Sequence, residues 1–348
     1  MKKIRFGVIG AGKIGSYHAR TLAGIEKAEL VGVADVDLLR AQSVAWGNNA
    51  VAYRDYKDLL GLVDAVVVAV PTHLHKEISE VAIEKGIHCL VEKPITDSLE
   101  DAKYLAQLSE KKGVILQVGH VERFNPAVIE AAKYVKKPLY INMERLGPYD
   151  PRVSGIGVTL DLMIHDLDIL LWLVNSEVES IDSIGASIFS RFEDISNARI
   201  RFKNGTVADV TASRITFEKI RRMRIYQDEE YISVDYISSR IKIYKKAVPE
   251  PKSLSDIEII TPKIEKRLPM TEELKHFIEC IENARKPLTD VYKGTTALKL
   301  AICVCENMKL YRMPKGSLHN TSKDGRIKDI IEAAKGIIET RIDEGIGR

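Results

Sequence analysis

A chain of 348 residues is long enough for two domains and a sizeable core, and a composition of 45% hydrophobic and 29% charged residues is that of a globular protein. A net charge of +3 with scattered basic residues leaves no electrostatic footprint for nucleic acid, and no apolar run reaches membrane-spanning length. Cys89, Cys280, Cys303 and Cys305 show neither a paired framework nor metal-type spacing. They read as core fillers in a reducing compartment. The opening run Ile4–Ile9 is too short for a secretory leader, so a cytoplasmic protein is expected.

In chain order, Ile4–Ile9 reads as a first strand, and a helix is expected from about Lys13 with Ile14, His18 and Leu22 on related faces. Leu30–Ala34 reads as a second strand ending at Asp35. The β-branched run Ala65–Val70 has the character of a central strand buried on both faces, and Pro71 closes it. His88–Val91 and Val114–Val118 supply the remaining strands of this part. Strand and helix in alternation predict a doubly wound parallel α/β domain. Past Gly119 the pattern changes to the alternating runs Asn197–Phe202, Val207–Thr211, Arg222–Tyr226, Tyr231–Val234 and Arg240–Tyr244, with Asn204-Gly205 as a hairpin signal. These predict an antiparallel sheet in an α+β second domain. The locally basic stretch Lys219–Arg224 alternates with apolar residues, which fits a strand with one solvated face. Met270–Asn283 and Thr295–Leu310 read as closing helices, and Ile327–Asp343 as a charged amphipathic helix after a loop at 316–325. The expected division is 1–120, 121–315 and 316–348.

Gly10-Ala11-Gly12-Lys13-Ile14-Gly15 follows the first strand and opens a helix, with Asp35 twenty positions after Gly15. This is the context of a dinucleotide fingerprint. Gly10 permits the turn, Gly12 lets the backbone approach a pyrophosphate, and Gly15 allows close helix–strand packing. The helix N-terminus, with Lys13 and Ile14 in its first turn, then offers free amides to phosphate. Asp35 would accept from both ribose hydroxyls and repel a 2′-phosphate, favouring NAD over NADP. Asp37 takes that role if the second strand ends later. Pro71, Thr72 and His75 follow the central strand, and Glu92 and Lys93 the next, so all five belong in the crevice where such sheets bind ligands. For His73 and His75 a capping or loop-packing role stands beside that reading, and His18 reads as structural.

Glu92-Lys93-Pro94 is the most specific signal for chemistry. A lysine just past a parallel strand can reach a nicotinamide ring and the carbon beside it, and the proline restricts its backbone toward extended geometry. Further on, Asp161, His165 and Asp168 fall on one face of a mostly apolar helix. Buried acids and imidazoles are costly unless paired or working. One reading is a satisfied core network in which Asp161 holds His165; the other is catalysis. A metal reading of His165-Asp166-x-Asp168 finds no further ligand cluster, and Asp166 points away from the other two.

Taken together, the glycine loop, Val70–His75, Glu92-Lys93-Pro94 and Asp161-x-x-x-His165 resemble the Gfo/Idh/MocA oxidoreductase family over roughly residues 1 to 315. The resemblance implies a Rossmann domain followed by an α+β domain with a large, mostly antiparallel sheet. It also implies catalytic roles for Lys93, Asp161 and His165. The stretches Gly119–Pro126, Glu144–Pro148 and Leu160–Asp166 resemble the branch that oxidises the C-3 hydroxyl of UDP-N-acetylglucosamine with NAD, while other members act on inositols, free sugars and UDP-hexuronic acids. A small-molecule sugar substrate, a UDP-sugar within that class, is therefore implied. Arg123, Asn125 and Arg145 lie where the domains should meet, and serve either a substrate diphosphate or an interdomain ion pair. The same fold hosts NAD(P)-binding regulators without turnover, and the presence of all three catalytic residues argues against that alternative. A half-covered sheet carrying Ile188, Ile200 and Val207 has one face to bury, which predicts a homodimer or homotetramer.

Overall fold

The computed structural model describes residues 3–150 and 155–312, so the helix expected at Ile327–Asp343 lies outside the described residues. In the first part the strands are β1 (Ile4–Ile9), β2 (Ala28–Ala34), β3 (Val51–Tyr53), β4 (Ala65–Val68), β5 (His88–Glu92) and β6 (Leu116–Gly119). The helices between them are α1 (Lys13–Ala23), α2 (Leu38–Trp46), α3 (Tyr56–Leu60), α4 (His75–Glu84) and α5 (Leu99–Lys112). The strands pair in parallel in the order β3-β2-β1-β4-β5-β6. This is the doubly wound arrangement, whose ligand crevice lies at the carboxyl ends of β1 and β4. Every residue of β4 is buried, as its unbroken Ala-Val-Val-Val run requires of a strand covered on both faces. On α1, His18 and Leu22 are buried, whereas Ile14 is exposed beside the glycine loop.

The second part contains α6 (Pro126–Ala132), β7 (Pro138–Leu146), α7 (Ile164–Val174), β8 (Val178–Ser187), β9 (Ile195–Phe202) and β10 (Val207–Ser213). It continues with β11 (Ile220–Gln227), β12 (Glu230–Asp235), β13 (Arg240–Lys246), β14 (Ile257–Ile260), α8 (Pro269–Glu282), α9 (Val291–Glu306) and β15 (Met308–Arg312). Nine strands form one sheet in the order β14-β13-β12-β11-β7-β10-β9-β8-β15. The pairing of β7 with β10 is parallel, and β7 with β11 antiparallel. The hairpin at Asn204-Gly205 joins β9 and β10, with Gly205 at φ +89°. One face is covered by α6, α7 and α9 over a core that includes Ile141, Met143, Ile200, Val210, Met223 and Ile225. On the other face, Tyr140, Tyr226, Tyr231 and Tyr244 form a row with ring centroids 5.5, 4.9 and 5.3 Å apart. Ile200 lies on the covered face and is fully buried.

Three of the elements that differ from the sequence expectation shape the second domain. The last helix begins earlier, because Asp290 caps it by accepting from the Lys293 amide, and it ends at Glu306. Met308-Lys-Leu-Tyr-Arg then runs as an edge strand rather than a fifth helical turn. Strand β7, central to the sheet, has a sequence too polar on its outward side to announce itself.

The described residues up to Leu310 form a single compact unit. Helix α8 returns to the first sheet, where Leu274, Phe277 and Ile278 join Phe6, Leu22 and Leu90. Phe6 and Phe277 lie 6.1 Å apart by ring centroid, and burying a side chain such as Phe277 contributes roughly 1.5–3 kcal/mol. The two sheets are thus separate, while the last helices tie them together and hold the crevice between them.

Candidate active site

The dinucleotide loop has the geometry its glycines suggested. Gly10 has φ +100°, a region that side-chain-bearing residues rarely enter, and a Cβ there would lie 2.5 Å from the Ala69 carbonyl oxygen. A Cβ on Gly15 would lie 1.8 Å from the Gly10 carbonyl oxygen, so α1 can sit this close to β1 with glycine alone. At Gly12 a Cβ would meet nothing within 4 Å. That open side faces out from the start of α1, where no side chain caps the helix and the first amides lack intrahelical partners. The loop therefore fits a pyrophosphate. Asp35 accepts from the Ala11 amide at 2.7 Å and the Asp37 amide at 2.9 Å, which fixes its carboxylate at the end of β2. Asp37 is committed elsewhere, as the N-cap of α2. Arg40 stands 3.9 Å from Asp35 and 3.4 Å from Asp37, a cation beside the ribose position that the sequence reading did not single out.

Lys93 emerges past β5, and its peptide bond to Pro94 is cis. The turn is held on two sides. His75 is buried, with Nδ1 2.9 Å from the Pro94 carbonyl and Nε2 2.9 Å from the Val70 carbonyl. Both ring nitrogens face backbone carbonyls, and the neutral ring that burial favours by lowering the pKa donates to one of them, so His75 packs the loop. Behind the lysine, fully buried His18 holds Glu92 at 2.7 Å. Pro71 and His73 are exposed and Thr72 is half-buried at the mouth of the same crevice.

Across the crevice, a π-helical turn at Thr159–Met163 leads into α7. The Lys93 ammonium donates to the Asp161 carbonyl at 2.5 Å and to its carboxylate at 3.3 Å. This contact joins the first domain's strand end to the second domain's helix. His165 is half-buried, and its Nδ1 is shielded from solvent without a hydrogen-bond partner. Burial, then the charges of Lys93 and Arg145, push its pKa well below the ordinary value, so the imidazole is neutral at pH 7. The expectation that Asp161 holds His165 is corrected: the carboxylate's partner is Lys93, because a charged donor makes the stronger hydrogen bond to a carboxylate than a neutral ring does.

Asp168 does not join them. It is buried in a bidentate pair with Arg123, at 2.6 and 3.1 Å, and that guanidinium lies 4.7 Å from the Trp172 ring centroid. Asp166 pairs with Arg145 through two bonds of 2.8 Å, and Arg145 also donates to Glu122 at 2.8 Å. Asn125 caps α6 and donates to Glu122. Arg123, Asn125 and Arg145 are all at least 95% buried, so the ion-pair reading describes them and the substrate-diphosphate reading does not. Among the described residues no group of three His, Cys, Asp or Glu side chains could hold a metal ion. The sequence reading passed over Arg221. The alternation at Lys219–Arg224 does put Arg222 and Arg224 outward, near Glu144. Arg221, though, shares its side of the strand with buried Met223 and Ile225 and reaches Glu122 at 3.2 Å.

Comparison with known proteins agrees with this geometry. Residues 4–120 match the model of the oxidoreductase family with an NAD-binding Rossmann fold, and residues 140–233 that of the GFO/IDH/MocA C-terminal domain. The chain is 34% identical to the UDP-N-acetylglucosamine 3-dehydrogenase of Acidithiobacillus ferrooxidans, covering 87% of this chain and 97% of that protein. A solved structure of that enzyme superposes with a TM-score of 0.84 at 34% identity, over 88% of this chain and 98% of the other. The scyllo-inositol 2-dehydrogenase (NAD(+)) of Bacillus subtilis is 29% identical, covering 88% of this chain and 94% of that protein.

Proposed function

The chain belongs to the Gfo/Idh/MocA oxidoreductase family, and from that premise we propose that it oxidises a secondary hydroxyl of a nucleotide sugar, the C-3 hydroxyl of UDP-N-acetylglucosamine, with NAD. The observation that carries the reading is the meeting of Lys93 from one domain with Asp161 from the other, beside a neutral His165. Gly10, Gly12, Lys13, Ile14 and Gly15 would hold the cofactor's pyrophosphate, Asp35 its ribose, and Pro71, Thr72, Glu92 and Lys93 the nicotinamide end. When bound, the nicotinamide ring supplies the hydride acceptor.

The protein's own part is proton handling and orientation. Lys93, already donating to Asp161, is placed to donate to the substrate oxygen and to stabilise charge developing there. His165, neutral and half-buried, takes the hydroxyl proton as general base. Asp161 steers the ammonium rather than the imidazole. The identity with the Acidithiobacillus enzyme over nearly its whole length supports the UDP-sugar, and the Bacillus relative keeps an inositol as the second reading. Asp35 supports NAD, while Arg40 beside it is the group through which NADP would be accommodated. The tyrosine-lined face of the nine-stranded sheet supports assembly as a homodimer or homotetramer.

The test is the appearance of reduced nicotinamide absorbance with purified protein. NAD and NADP are each paired with UDP-N-acetylglucosamine and with scyllo- and myo-inositol. Reduction with NAD and the UDP-sugar is expected. Turnover confined to an inositol discards the substrate, and no turnover with any pair despite measured NAD binding discards the reading.

A further inference from the structure

Strand β11 lies opposite β7 with Arg221 directly across from Arg145. Two arginines facing each other on the inward side of a sheet are destabilising unless anions separate them. The anion available is a single carboxylate oxygen. Glu122 Oε1 accepts from Arg145 Nη1 at 2.8 Å and from Arg221 Nη1 at 3.2 Å. Arg145 is otherwise saturated by its bidentate pair with Asp166, and Glu122 has Arg145 and Asn125 without any help from β11. The fold therefore does not need a second guanidinium here.

Nor is Arg221 satisfied. Its Nε is shielded from solvent with no partner, and among the described contacts Nη1 alone makes a hydrogen bond. Nη2 is not among the shielded atoms and makes no hydrogen bond, which leaves it free for an anion. About a third of the side chain is exposed, at 31%, in contrast to the closed arginines beside it. Through Glu122 and Arg145, Arg221 is linked by hydrogen bonds to Asp166, the residue next to His165. Two residues earlier, exposed Lys219 feels Arg221 and, across the domain junction, Lys13 of the glycine loop. Glu122, already shared with Arg145, is the acid paired with these cations, and cations in excess of acids attract an anion.

We propose that Arg221 and Lys219 form a diphosphate subsite in which Arg221 binds a substrate phosphate through its free Nη2 and Lys219 neutralises the second. The inference rests on the nucleotide-sugar reading and names the residues that make it selective over a neutral polyol. A diphosphate has two sources in this protein, the sugar nucleotide and the dinucleotide. The dinucleotide already has its own seat at Gly10–Gly15, which leaves the β11 pair for the substrate.

Calorimetric titration of the full-length protein with uridine diphosphate, and separately with NADH, tests the assignment in wild type, Arg221→Met, Arg221→Lys and Lys219→Ala. Loss of a charge-assisted hydrogen bond should weaken uridine diphosphate by roughly 10- to 100-fold in Arg221→Met, with partial rescue in Arg221→Lys. A loss of several-fold is expected in Lys219→Ala, whose position is exposed and places no demand on folding. NADH affinity should stay within about twofold throughout. Unchanged uridine diphosphate affinity in Arg221→Met and Lys219→Ala overturns the proposal, as does a parallel loss of NADH or a wild type that does not bind uridine diphosphate. Tight uridine diphosphate binding lost in Arg221→Met, without oxidation of any nucleotide sugar, would sink the proposed reaction and leave this subsite standing. Oxidation of UDP-N-acetylglucosamine with an unaltered KM in Arg221→Met would do the reverse.

Discussion

The two ends of the charged stretch Asp161–Asp168 treat their side chains in opposite ways. At the start, Asp161 and His165 are partly open: the acid has one lysine partner, and the imidazole has a ring nitrogen with none. From the next residue on, Asp166 and Asp168 are each closed by a bidentate arginine and are 2% exposed. The amino acids are of the same kind, and the partners make the difference. A carboxylate saturated by a guanidinium holds the fold together and has no valence left for a ligand. Partly satisfied groups beside an opening can bind and exchange protons.

The largest expected effect falls on the open end. Lys93→Met and His165→Ala should each lower kcat/KM by about 10²- to 10⁴-fold while leaving the melting temperature nearly unchanged, and His165→Ala should leave NADH affinity nearly unchanged as well. Full activity in either variant removes the catalytic assignment. At the closed end the pattern should invert. Arg145→Met leaves Asp166 and Glu122 buried without their cation, at a cost of about 3–5 kcal/mol by urea denaturation. If Arg145→Met is as stable as Lys93→Met, the contrast between the two ends fails.

A smaller effect concerns pH. The depressed pKa of His165 keeps the base unprotonated below the ordinary histidine range, so the acid limb of kcat/KM should lie below about pH 6.5. Nearby positive charge causes part of that depression, and a limb at or above 6.5 would show that His165 is not the base.

Glu273 on α8 extends the comparison to an acid with no partner at all. It is fully buried, both carboxylate oxygens lack hydrogen bonds, and burial followed by the charge of Glu92 raises its pKa well above the usual carboxylate value. A folded-state pKa above the unfolded one means that the native protein binds the extra proton. Stability is therefore greatest below the ordinary carboxylate value and falls as pH rises toward the shifted one, by at most about 1.4 kcal/mol per pH unit. Glu273→Gln should remove that slope, so its advantage in thermal unfolding grows from acid to neutral pH. An advantage independent of pH would mean that Glu273 is not protonated in the native state.

Much of the site was legible because its signals are local. The glycine loop, Asp35 and the Glu-Lys-Pro turn each depend on neighbours a few residues away along a strand–turn–helix unit, and backbone sterics there demand particular residue types. The pairing of charges was not legible. Asp161 faces Lys93 across 68 positions, and Arg145 faces Asp166 across 21 through a strand, β7, that the alternation did not announce. Periodicity placed Asp161, His165 and Asp168 on one side of a helix but could not say which arginine or lysine that side would meet. In the same way, it showed that alternate residues of Lys219–Arg224 share a face without saying which face turns inward.

The amino-acid order by itself determined the parallel sheet, the dinucleotide loop, the family and the place of Lys93 just past β5, because short-range sterics and hydrophobic periodicity are written in adjacent residues. The tertiary structure alone decided which charges are closed and which stay open. Burial and partnering depend on chain segments far apart in sequence, and a charge becomes structural or chemical according to whether an opposite charge arrives with the fold.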